Sequence, residues 1–252
     1  MCKRIGIARD GFYSSLTDAH KYSASNFSYI DDCAYDFDKL REKSSLMDAD
    51  VNPDAPLCVA FDYNANINWL VCGQPKGDKL LVLKSFYVKY ERKLRELVGD
   101  FCDYYRYHRC RHVVFYYDAT AKQGSYAVDD ATFASVISEA FRSHGWFVTE
   151  VDIGPPMHQM QKHLLINRML AGQQRFKPMF NRENNEELLV SIQTAGVYNG
   201  KKDKRGEKLA ESEESRLELR TDGSDAFDTL AIGCEGHPVA AAASSLGVVS
   251  SF

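Results

Sequence analysis

The sequence is 252 residues long, enough to bury one sizeable core, and its 44% hydrophobic and 26% charged content is that of an ordinary globular chain, not a disordered one. A formal charge of −4 excludes a uniformly basic nucleic-acid coat, and no apolar run is long enough for a membrane span or a secretory signal. Seven cysteines without a CxxC pair exclude a disulfide framework and the common zinc sites, so a cytosolic protein is the simplest reading.

Residues 1–55 are polar, tyrosine-rich and weakly periodic, and predict an irregular lead-in with one short helix near Tyr35 to Leu46. The fold proper is expected to begin at Leu57-Cys58-Val59-Ala60-Phe61, a continuous apolar run suited to a strand buried on both faces and closed by Asp62. A polar turn and a returning strand to Gln74 follow. A second turn then leads into a third strand, Lys79 to Val88, completing an antiparallel meander. Tyr90 to Tyr107 has helical spacing. His112 to Tyr117 (HVVFYY) reads as a fourth strand and ends, like the first, on an acidic residue, Asp118.

Lys122 lies in the loop after Asp118. Asp129 to Ser143 predicts a helix, Trp146 to Val151 a fifth strand, and His158 to Ala171 another helix. A proline-containing stretch, FKPMF, precedes a helix over Asn184 to Thr194. Strands and helices in this order indicate an α/β fold with a mixed five-stranded sheet, three strands antiparallel and the others parallel, flanked by helices. Tyr198 to Lys208 is the most polar segment, and is either a disordered loop or the tip of a β-hairpin. The last element is a helix, Ser224 to Cys234, with Asp225 and Asp228 on the flank of its apolar stripe. Residues 237–252 read as a flexible, low-complexity tail.

Asp62, Asp118 and Asp225 therefore end one strand, end another and open a helix. If the first and fourth strands are neighbours, all three can converge at one sheet edge. Converging carboxylates repel one another unless cations neutralise them, and an all-oxygen set suits Mg²⁺ or Mn²⁺. Two such ions would support phosphodiester cleavage. The same residues read equally well as a turn former, a strand-end cap and a helix N-terminal acid.

Three segments, FDYNANINWLVCGQ, VVFYYDATAKQG and RTDGSDAFDTLAIG, resemble the acidic motifs of the nuclease domain of phage large terminase subunits. That family has an RNase H-like fold. The resemblance implies an endonuclease that cuts concatemeric double-stranded viral DNA with two divalent ions, Mg²⁺ or Mn²⁺, in the host cytoplasm. Its partners would be DNA, a packaging ATPase domain, the portal and the small terminase subunit, with no membrane. Carried over, Asp62, Asp118 and Asp225 are catalytic metal ligands. Asp222 and then Asp228 are further candidates for the third position, and Asp228 is read first as a solvated helix residue.

Lys201, Lys202, Lys204, Arg205 and Lys208 resemble the family's basic hairpin, and either grip the DNA backbone or form a soluble loop. Lys122 could touch the scissile phosphate, although a solvated loop lysine is the simpler reading. His158, Gln161 and Lys162, near the start of a helix, could line the groove, although ordinary helix-surface residues are the simpler reading. The sequence has no GxxxxGK[ST] phosphate loop, so it is expected to be the nuclease part (56–236) of a longer protein, with 1–55 as the linker, or to have its ATPase on another chain. Another RNase H-like nuclease (a resolvase or a hybrid nuclease) and a non-catalytic DNA-binding or assembly module are the alternatives.

Overall fold

The computed structural model describes residues 11–33, 36, 38–39, 42–124, 131–205 and 216–238. The apolar run at Leu57 forms strand β2 (Leu57–Tyr63), paired antiparallel with β3 (Ile67–Lys76), which pairs antiparallel with β4 (Lys79–Lys89). Strand β5 (His112–Tyr117) lies parallel to β2 on its other side, and β6 (Phe147–Asp152) lies parallel to β5. This is the expected five-strand mixed sheet.

Two further strands extend it. The proline-containing stretch is strand β7 (Lys177–Asn181), parallel to β4, and β1 (Lys21–Tyr22) pairs with β7. Among the described residues the sheet therefore has seven strands, in the order β1-β7-β4-β3-β2-β5-β6. Pro178 is tolerated because β1 reaches only Phe180 and Asn181, which leaves Pro178 with a strand partner on one side only.

Side-chain alternation divides the core between the two faces of the sheet. Leu57, Val59 and Phe61 point to the face covered by α2 (Leu94–Tyr104) and α3 (Phe133–Ser143). Cys58 and Ala60, with Val114 and Tyr116 of β5, point to the opposite face. That face is covered by α4 (Gln159–Leu170), α5 (Glu186–Thr194) and α6 (Asp222–Gly236). Cys58 and Cys72 are buried free thiols, packed as small hydrophobes.

Residues ahead of Leu57 also belong to this packing. Phe12, Tyr13 and Leu16 are buried in the α6-side core, and Phe12 N–H donates to Ala195 O at 2.8 Å. A short helix, α1, spans Phe27–Asp32. The expectation that the fold begins at Leu57 is corrected accordingly. Tyrosine-rich, aperiodic sequence can fill a core through single aromatic anchors without forming a regular element. The helix expected near Tyr35 to Leu46 lies partly outside the described residues, and the tail from 239 lies wholly outside them.

Helix α6 lies unusually close to the sheet. A Cβ on Gly233 would stand 2.4 Å from the Tyr116 ring, and one on Gly223 would stand 3.1 Å from Trp69. Glycine at these two points lets the helix backbone rest on the aromatic rings. Trp69 is the cross-strand partner of Asp62, so the seat of Gly223 brings the first turn of α6 to the end of β2 that carries Asp62.

Candidate active site

The register places Ala60 beside Tyr116 on the parallel strands β2 and β5, and Asp62 and Asp118 each follow two residues later. Both therefore share the parity of the side chains that face α6. Asp225, one turn into α6, meets them from above. The three carboxylates line a single cavity of about 170 Å³ with Tyr63, Thr120 and Gln159. All three are half-buried.

The two sides of this cavity differ in charge balance. Asp118 accepts from Thr120 N–H at 2.9 Å and from Thr120 Oγ1 at 2.5 Å, in a capping turn. Asn64 Nδ2 donates to Asp62 Oδ2 at 2.7 Å and to Asp222 Oδ1 at 2.8 Å, tying these two acids together. Burial, followed by the nearby Asp225 and Asp222 carboxylates, holds the Asp62 carboxyl well above the ordinary carboxylate range.

Asp225 is the reverse case. Its Oδ1 lies 2.7 Å from Lys202 Nζ and its Oδ2 lies 2.5 Å from Lys204 Nζ. Burial alone would raise its carboxyl, but Lys202 and Lys204, aided by Lys162, outweigh this and hold it well below the usual range.

Lys202 belongs to a small hairpin, β8 (Val197–Tyr198) and β9 (Lys201–Lys202), turned by Asn199 and Gly200 at positive φ. The arms are two residues each, so the tip is confined to Asn199 and Gly200 and does not take in the whole of Tyr198 to Lys208. The Lys202 ammonium is enclosed. It is 2.7 Å from Asp228 Oδ2, donates to Ser224 Oγ at 3.0 Å, and lies 5.1 Å from each of the Phe12 and Tyr13 rings. Tyr13 OH donates to Asp228 Oδ1 at 2.8 Å. Asp228 is fully buried within this network, which corrects its reading as a solvated helix residue.

No family sequence model matches the chain, and no curated protein sequence matches it either. Solved structures do. The large terminase of a thermophilic bacteriophage superposes with a TM-score of 0.50 at 10% identity, over 87% of this chain and 44% of that one. The same terminase in complex with ATP-gamma-S gives 0.50 at 10% identity, over 88% and 44%. Thermus thermophilus RuvC gives 0.30 at 16% identity, over 71% of this chain and 93% of that one. The present chain spans less than half the length of the terminase it matches.

The fold is RNase H-like. Within it, the structure brings Asp62, Asp118 and Asp225 to one cavity, with Asp222 joined to Asp62 through Asn64. It does not present Lys202 on a surface, and it turns Lys122 to an ion pair with Asp152. Lys201, Lys204 and Arg205 are exposed on the hairpin, where Arg205 pairs with Asp203 and stacks on Tyr198 with its guanidinium carbon 3.4 Å from the ring centre. Lys208 lies outside the described residues.

Sequence reasoning missed Asn64, Thr120, Gln159 and Tyr13, and rated Lys162 as helix surface although it lines the cavity. Asn64 and Thr120 each lie two residues after a candidate ligand, a spacing that could have flagged them. Tyr13 left no signal.

The donors fit a hard divalent cation in kind. Besides the carboxylates, Gln159 Oε1 is buried without a hydrogen-bond partner, and Gln159 lines the same cavity. As placed, however, no three acidic, histidine or cysteine side chains among the described residues stand close enough to hold an ion.

Proposed function

We propose that this chain is a metal-dependent endonuclease domain acting on double-stranded DNA, of the kind that cuts concatemeric viral genomes during packaging. The observation that carries the reading is the meeting of Asp62, Asp118 and Asp225 in one cavity, delivered by two adjacent parallel strands and a helix. Asp62, Asp118 and Asp225 would hold the divalent ions, with Gln159 a further oxygen donor lining the cavity and Asp222 tied to Asp62 through Asn64. Two Mg²⁺ or Mn²⁺ ions at this site would activate water and stabilise the leaving oxygen of a phosphodiester.

The chain's own residues have separate tasks. Thr120 fixes the Asp118 carboxylate through two hydrogen bonds, and Asn64 fixes Asp62 relative to Asp222. Asp228 and Tyr13 hold Lys202 in place and so set the position of Asp225. Lys201, Lys204 and Arg205 offer exposed cations for the DNA backbone beside the cavity, a contact that does not depend on base sequence. Residues ahead of 56 join the domain to a packaging ATPase in the full assembly, and also complete the site through Tyr13.

Plasmid cleavage with Mn²⁺ tests the reading, comparing the unaltered chain with Asp62→Ala and Asp118→Ala. Cleavage by the unaltered chain that disappears in both variants supports it. Cleavage that persists in both removes these residues from the chemistry, and no cleavage by any form with Mg²⁺ or Mn²⁺ leaves a DNA-binding or assembly module instead.

A further inference from the structure

Lys202 and Lys204 both contact Asp225, yet their surroundings differ. Lys202 has a side chain only 1% exposed and is held by two carboxylates, a hydroxyl and two aromatic faces. Lys204, two residues further on, has a side chain 44% exposed, and among the described residues its one ion pair is to Asp225 Oδ2. The first is enclosed, and the second is open to solvent on one side.

The Lys204 ammonium occupies Asp225 Oδ2, an oxygen facing the cavity that a divalent ion would seek. Asp225 has two carboxylate oxygens, and both are engaged by lysines. An ion that binds Asp225 Oδ2 must compete with the Lys204 ammonium for that oxygen.

We propose that Lys204 is a built-in cation that holds the metal site closed, and that divalent ions load at Asp225 by displacing it. The inference rests on the metal-dependent reading above and adds to it the order of events. On exchange, the metal becomes the counter-ion of Asp225 Oδ2, while Lys204 keeps its proton and turns outward. A groove of about 400 Å³ runs along the hairpin between Tyr198 and Arg205, lined also by Lys201. The released ammonium thus joins the exposed cations that face a polyanion, and a DNA phosphate is its natural new partner. Lys202 remains in place throughout, so the hairpin stays attached to α6 while its lysine changes partner. DNA engagement and metal loading are then coupled through one side chain, and each favours the other.

The test is Mn²⁺ titration of the full chain without DNA, read by calorimetry and by the loss of the free-ion electron paramagnetic resonance signal. Lys204→Ala should bind Mn²⁺ about two- to fivefold more tightly than the unaltered chain, the size of effect expected from removing a partly exposed competing ion pair. Lys204→Gln, which keeps the length and loses the charge, should behave alike and guards against a folding defect. Lys79→Ala, at the far end of β4 from the strand position opposite Asp62 and Trp69, should leave binding unchanged. Equal or weaker Mn²⁺ binding in both Lys204 variants overturns the proposal while leaving the metal site intact. Absence of saturable binding in every form, or binding that survives Asp62→Ala and Asp118→Ala, overturns the metal reading and this proposal with it.

Discussion

The two sides of the cavity are built on opposite electrostatic principles. On the strand side, Asp62 and Asp118 are held by neutral hydrogen-bond donors from Asn64 and Thr120, and Asp62 is pushed toward its protonated form. On the helix side, Asp225 and Asp228 are compensated by Lys202 and Lys204, and Asp225 is stabilised as a carboxylate. Among the described residues no lysine forms an ion pair with Asp62 or Asp118, whereas two pair with Asp225. The difference teaches that acidic residues with similar sequence settings can have opposite energetic roles, one destabilising the metal-free fold and the other supporting it.

The largest expected effect breaks the strand side. Asp118→Ala or Asp62→Asn should reduce Mn²⁺-dependent plasmid cleavage about a thousandfold or more, because the ligand set then loses a carboxylate. Asp62→Asn should leave the melting temperature of the metal-free protein unchanged or raised. A marked drop in that temperature would make Asp62 a structural residue.

Breaking the helix side should act on folding first. Asp228→Ala leaves the buried Lys202 ammonium without one of its two counter-ions and should destabilise the fold by about 3–5 kcal/mol, read by chemical denaturation. A loss below about 1 kcal/mol would mean that the buried pair contributes little. Gly233→Ala should cost about 1–3 kcal/mol, since its Cβ would press on the Tyr116 ring.

The pH dependence sharpens the contrast because the signs oppose. The folded-state pKa of Asp62 is raised, so its contribution to stability is present at acid pH and is lost as pH rises through that value. The melting-temperature gain of metal-free Asp62→Asn should therefore be largest near neutrality and shrink toward about pH 4, the unfolded carboxylate value. Asp225 is depressed, so its contribution is present above that unfolded value and disappears as pH falls through the folded one. Asp225→Asn should accordingly lose stability near neutrality, by about 2 kcal/mol, and lose less in acid. The same sign for both variants near neutrality would erase the distinction between the two sides. The smallest effect lies outside both: Lys122→Ala removes a solvent-exposed pair with Asp152 and should leave the melting temperature essentially unchanged.

The local signals in the sequence were strong where one element sufficed. The apolar runs ending in Asp62 and Asp118 identified two central strands, and the stripe of Ala226, Phe227, Leu230 and Ala231 identified the helix that carries Asp225. The strand β7 was hidden by Pro178, whose tolerance depends on how far a distant two-residue strand reaches. The burial of Lys202 was hidden as well. Its neighbours in the chain are charged and polar, while its partners Asp228, Ser224 and Tyr13 come from other segments. A lysine in a basic stretch reads as a surface cation until the fold supplies carboxylates to enclose it.

The central claim is that Asp62, Asp118 and Asp225 together bind divalent cations. Crystals soaked in Mn²⁺ and measured for anomalous scattering test it directly. The account predicts an anomalous peak inside the cavity, with oxygens of Asp62, Asp118 and Asp225 as ligands and Lys204 turned away from Asp225. A Mn²⁺-saturated crystal with no peak in that cavity, or with the ion bound elsewhere, would contradict it.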